Sequence, residues 1–178
     1  AEQLLGRLCY IGVYVRAGLM GSVLSSYLSI RDGYELLQHF DRLAGLQSSL
    51  IPLISAGASG AVMGLGAALT VISLFPPLPQ QRFWLDKKSL LMVMAINLVF
   101  GFTVAGINNA AHIGGMMMGA LLAGAWYLGE KIQKPALIQI GALIIGTVLL
   151  AAFYFYCTEL STGLDPLWNE ILRQNQLK

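Results

Sequence analysis

Residues 110–128 read AAHIGGMMMGALLAGAWYL, nineteen positions with no Asp, Glu, Lys or Arg and a single ionisable group, His112. A helix needs roughly 20 apolar residues to cross about 30 Å of hydrocarbon. Ala111, Gly115, Gly119 and Ala123 recur every four positions, so on a helix they form one stripe of small residues. Between helices in lipid, association comes from close packing rather than from hiding apolar surface from water. This stretch therefore predicts a transmembrane helix with a second helix pressed against its stripe.

Four further stretches have the same character: Leu4–Ile30, interrupted by Arg16, then Ile51–Phe75, Ser89–Ile107 and Pro135–Cys157. In hydrocarbon the backbone must satisfy its own hydrogen bonds, so these are helices. Composition agrees: 56% of the 178 residues are hydrophobic and 11% are charged, against about 25% charged in soluble domains. The predicted fold is an all-α polytopic membrane protein with five transmembrane helices in one domain, residues 1–178. A net charge of +2 gives no basic patch for nucleic acid. Cys9 and Cys157 form no CxxC or Cys/His cluster, so neither a metal site nor a cofactor is expected. By span parity the two cysteines lie at opposite membrane faces and do not pair.

The connections are short except for residues 31–49, where Tyr34, Leu37, Phe40 and Leu43 or Ala44 fall at helical spacing. This segment is expected to be an amphipathic interfacial helix, capped by Asp32 and ended by Gly45. Residues 158–178 form a polar tail. Arg7, Arg82, Lys87, Lys88, Lys131 and Lys134 lie at one set of helix ends, and Arg31, Arg42, Arg173 and Lys178 at the other. The excess of Lys and Arg assigns the first set to the cytoplasmic side.

Alternating spans put Ser59 and His112 near the same, outer face. Ser59 opens an apolar helix within Gly57-Ala58-Ser59-Gly60. Free N–H groups and the positive dipole end there suit an oxyanion. Small residues and helix-capping serines are common for purely structural reasons, so this motif decides little by itself. A histidine inside a span is costly and marks a functional site by default; a neutral imidazole is also a suitable general base. Its plain structural alternative is one interhelical hydrogen bond. Gly60, Gly64 and Ala68 form a second small-residue stripe beside Ser59, and Gly18, Ser22 and Ser25 or Ser26 a third on the first span. The stripes let the helices approach closely enough for the Ser59 hydroxyl to reach an imidazole nitrogen. Asp86 and Glu130 belong to the opposite face, so the pair is a dyad. His39, in the interfacial segment, is expected to be a solvated polar residue.

Gly57-Ala58-Ser59-Gly60 with Gly64 resembles the GxSG motif at the start of the fourth helix of rhomboid intramembrane serine proteases. Asn109-Ala110-Ala111-His112 with Gly115 and Gly119 resembles the AHxxGxxxG motif of that family's sixth helix. The similarity runs from near residue 1 to about residue 128, and the last span is similar to the extra helix of six-plus-one rhomboids. The resemblance implies the third to seventh helices of a rhomboid-like bundle, a fragment of a seven-helix protein. It implies a serine endopeptidase with Ser59 as nucleophile and His112 as base. The Ser59 N–H and the Gly57 region would serve the oxyanion, and Gly60, Gly64, Gly115 and Gly119 the helix packing. Met63 and Asn109 lie near the site; Met63 stands where the family usually has an aromatic. The implied partners are membrane proteins with a transmembrane helix, the lipid bilayer and the N-terminal helices of the same protein. The implied location is a bacterial inner membrane with the site facing outward. A non-catalytic rhomboid-fold protein that binds transmembrane helices is the alternative, disfavoured because both Ser59 and His112 are present. A small transporter or channel would carry mid-span carboxylates, and this sequence has none.

Overall fold

The computed structural model describes residues 1–38, 58–78, 81, 84–104, 108–166, 169 and 173. Among them there is no strand. The helices are α1 (Glu2–Leu5), α2 (Arg7–Gln38), α3 (Ser59–Leu74), α4 (Lys87–Thr103), α5 (Asn109–Lys131) and α6 (Pro135–Thr162). Each predicted apolar stretch holds one of α2 to α6. By length and composition, Arg7–Glu35 of α2, all of α5 and all of α6 can cross a membrane, while α3 is a shorter apolar helix of 16 residues within the described segment.

Local chemistry sets several boundaries. Gly6 joins α1 to α2 at φ +80°, a backbone region closed to side chains. Asp86 caps α4 by accepting from the Lys88 and Ser89 N–H groups. The Ser89 hydroxyl also donates to it at 2.5 Å. These bonds, the Ser89 hydroxyl first, hold the Asp86 carboxyl below the usual carboxylate range. Pro135 occupies the first turn of α6, where its missing N–H has no helical acceptor.

α5 is the central helix and touches α2, α3, α4 and α6. Buried Met118, Leu122, Ala123, Trp126 and Tyr127 on α5 pack with Val13, Ala17, Ala68 and Ile72 from α2 and α3. The Tyr127 hydroxyl donates to the Pro76 carbonyl at 2.9 Å and its ring stacks on Phe75, tying the C-terminal ends of α3 and α5 together. α6 is the most apolar span, with mean hydropathy 2.4, and almost none of it is buried. Leu137, Ile140, Ile144, Val148 and Phe155 stand exposed along it, as suits a helix bathed in lipid. α4 buries only Met94, against Gly66 of α3.

Two expectations change. Residues 31–38 continue α2 instead of starting a separate interfacial helix, and Asp32 lies inside α2 rather than at a cap. The extension is held by an Arg31–Glu35 ion pair at 3.1 Å, one turn apart, and by the Tyr34 hydroxyl donating to the Leu160 carbonyl at 2.8 Å. Gly33 leaves room for buried Leu164. The rest of that segment, including His39, Gly45 and residues 39–49, lies outside the described residues. At the other end α6 runs five residues past Cys157, and Leu164 packs with Ile30 and Cys157; the tail begins as part of the fold. Both cysteines are free and buried.

Arg16 bonds to a neighbouring helix. Its Nε donates to the Thr147 hydroxyl of α6 at 3.1 Å, and Nη1 donates to the Gly12 carbonyl at 3.4 Å. A guanidinium among apolar helices needs hydrogen-bond acceptors, and this one links α2 to α6.

Candidate active site

The half of the bundle that holds the start of α3 and α5 is built on backbone-to-backbone contact. A Cβ on Gly115 would lie 2.7 Å from the carbonyl carbon of Gly60, and one on Gly119 would lie 2.6 Å from that of Gly64. Only glycine permits that approach. From the α2 side, Gly21 meets the Ala111 backbone, and Ala17 packs against Gly64. Gly60 and Gly64, and Ala111, Gly115 and Gly119, are thus the two facing stripes of α3 and α5. On α2 the contact face is Ala17, Gly21 and Ser25, with Gly18 at its edge against Ala61. Ser22 and Ser26, part of the predicted stripe, are exposed and bond back to the Gly18 and Ser22 carbonyls.

This register fixes the height of the site. Gly60 lies against both Ala111 and Gly115, and Gly64 against both Gly115 and Gly119. The two helices run parallel, and Ser59 is level with His112. Ser59 is the first residue of α3, with Ala58 before it. The first helical acceptance, Val62 N–H to the Ala58 carbonyl, leaves the N–H groups of Ser59, Gly60 and Ala61 without helical acceptors. Ser59 is exposed, whereas His112 is 7% exposed. Their side chains share no hydrogen bond in this structure. Met63, one turn beyond Ser59, is buried. Gly57 lies outside the described residues.

Asn108, absent from the residues singled out by sequence, seats the start of α5. Its Oδ1 accepts from the Ala111 N–H at 3.0 Å, and its Nδ2 donates to the buried Ser25 hydroxyl of α2. One side chain therefore caps the helix that carries His112 and ties that helix to α2. Asn108-Asn109 ahead of a small-residue apolar run is an N-cap signal, but the run itself does not choose between the two asparagines. Asn109 is placed differently: its carboxamide lies against Gly101 of α4, where a Cβ would fall 2.6 Å from the Asn109 Cγ.

Three buried side-chain polar atoms lack a hydrogen-bond partner among the described residues: Asn109 Oδ1, Asn109 Nδ2 and His112 Nδ1. Buried polar groups are nearly always bonded, so this turn of α5 stands apart from the rest of the molecule. Asp86 and Glu130 sit at the far ends of α4 and α5, and Glu130 is 3.5 Å from the Gln139 amide. Among the described residues no group of three or more His, Cys, Asp or Glu is arranged to hold a metal ion.

The family model described as the rhomboid domain matches residues 1–131. Rhomboid protease AarA of Providencia stuartii is 29% identical over 164 residues, covering 87% of this chain and 55% of that protein. Rhomboid protease GluP of Bacillus subtilis (strain 168) is 30% identical over 153 residues, covering 85% of this chain and 24% of that protein. The chain thus spans about half the length of the first relative and a quarter of the second. No solved structure matches it.

Proposed function

This chain belongs to the rhomboid family, an integral membrane protein by that membership and by its apolar helices, and from that premise we propose that it carries the catalytic dyad of an intramembrane serine endopeptidase. Its substrates are membrane proteins, cut in a transmembrane helix near the outer face of a bacterial inner membrane. The observation that carries the reading is the glycine seam: it brings the exposed first residue of α3, Ser59, level with the buried His112 of α5.

In this reading the Ser59 hydroxyl attacks a peptide carbonyl while His112 Nε2 takes its proton. The oxyanion gathers at the free N–H groups opening α3, with the Gly57 region forming the neighbouring wall. Collapse expels the amine, which receives the proton from His112. Water then attacks the acyl-enzyme with His112 again as base, restoring Ser59. A helical substrate hides its peptide bonds in its own hydrogen bonds, so helices that fray near small residues are the expected substrates. N-terminal helices of the same protein complete the oxyanion site.

The test uses the complete protein in liposomes with a fluorogenic transmembrane peptide carrying Gly and Ala near its outer end. Wild type cleaves it; Ser59→Ala and His112→Ala each stop cleavage and keep the wild-type thermal unfolding midpoint. Cleavage by either variant at near wild-type rate would overturn the assignment.

A further inference from the structure

The dyad reading leaves the imidazole without an orienting group, and the structure offers one that is not a carboxylate. We propose that Asn109 is a positioning residue whose Oδ1 accepts a hydrogen bond from His112 Nδ1–H, fixing the tautomer that leaves Nε2 free to act as base. This rests on the function proposed above.

Three observations lead to it. Asn109 and His112 are three residues apart on α5, the spacing that puts two side chains on one helix face. Helical side chains lean toward the N-terminus, so the His112 ring covers the turn that begins at Asn109. Finally, the only buried side-chain polar atoms left without partners among the described residues are the two ends of this carboxamide and His112 Nδ1. An acceptor and a donor, each unpaired and each buried, lie one turn apart.

The described surroundings supply no competitor. Among the described residues, the groups packed against this turn are Gly21 and Ser25 from α2, Gly60 from α3 and Gly101 from α4. No carboxylate or cation is among them. Ser25 is already bonded to Asn108. The Asn109 carboxamide fills the space a Gly101 Cβ would take and makes no hydrogen bond to α4. A neutral amide fits a buried site better than a carboxylate would. It selects the tautomer without placing a net charge in the bilayer.

The test compares Asn109→Leu and Asn109→Asp with wild type in the complete protein, reading kcat, KM and the pH profile of kcat/KM on the transmembrane peptide. Histidine 15N NMR, with His112→Ala to assign the resonances, reads the tautomer. Wild type is expected to hold the Nδ1–H form. Asn109→Leu is expected to lose that preference and to lower kcat roughly 10- to 100-fold with KM little changed. Asn109→Asp keeps the shape of the side chain, so its fold is the safer one. Its carboxylate stabilises the imidazolium and moves the acidic limb of the profile upward by about one pH unit or more. An Asn109→Asp profile with its acidic limb unmoved, or an Asn109→Leu protein with unchanged tautomer, would overturn the proposal whatever happens to overall activity. If Ser59→Ala still cleaves the peptide, the proposed function fails on its own and is told apart from this result.

Discussion

Replacing Gly115 by alanine tests whether the glycine seam sets the distance between Ser59 and His112. The added Cβ would stand 2.7 Å from the Gly60 carbonyl carbon and 3.1 Å from its Cα, where carbon atoms prefer about 3.5–4.0 Å. Both neighbours are backbone atoms, so no side chain can swing away. α3 and α5 must part by about 1 Å at this level. Overpacking of this kind costs about 1–3 kcal/mol. The larger consequence is functional: a hydroxyl and an imidazole that must meet within about 3 Å are separated, and a 1 Å misplacement is worth about 100-fold in rate. The assay is cleavage of the fluorogenic transmembrane peptide in liposomes, with thermal unfolding in detergent alongside. Gly124→Ala is the control, because a Cβ there meets nothing within 4 Å; it should keep full activity and stability. A Gly115→Ala protein with activity within about threefold of wild type, well short of that loss, would refute the reasoning.

Asn108→Ala removes the cap of α5 and the bond to Ser25 together, so stability should fall by about 1–2 kcal/mol and cleavage with it; unchanged denaturation in detergent would contradict this. Thr147→Val takes away the α6 acceptor of Arg16 and should cost about 0.5–1.5 kcal/mol, read by the same denaturation, with catalysis spared; no change would mean the Arg16 bond holds nothing. Asp86→Ala should speed hydrogen exchange at the Lys88 and Ser89 amides at neutral pH. Because the Asp86 carboxyl is held below its usual range by Ser89 and Lys88, its cap is complete above about pH 4 in wild type and is lost as pH falls through that lowered value. Protection of those amides that rises on acidification would count against this account.

The helical framework was legible because the bilayer leaves few choices. Long uncharged runs have to be helices, and the spacing of Ala111, Gly115 and Gly119 already marks the face that packs. The α2 face was harder to read. Gly18 and Ser22, with Ser25 or Ser26, have the right spacing, but of the three serines only Ser25 is buried, and it lies in line with Ala17 and Gly21, one position back from Gly18 and Ser22. Small residues crowd α2 on more than one face, and spacing alone does not choose among them. The continuation of α2 through residues 31–38 depends on the Tyr34 bond to Leu160 and on Leu164 beneath Gly33, partners more than 120 positions away. The Arg16–Thr147 bond is equally remote in sequence. Of the candidate site, the shared height of Ser59 and His112 followed from span parity. The unpaired atoms of Asn109 and His112 did not, since burial without a partner is a property of the packed bundle.

The most direct measurement for the central claim is covalent labelling of the complete protein in detergent by a fluorophosphonate, with the modified peptide identified by mass spectrometry. The account predicts a single adduct on Ser59 that disappears in Ser59→Ala and is strongly reduced in His112→Ala. A folded wild-type protein that takes up no label, or one labelled equally well after Ser59→Ala, would contradict it.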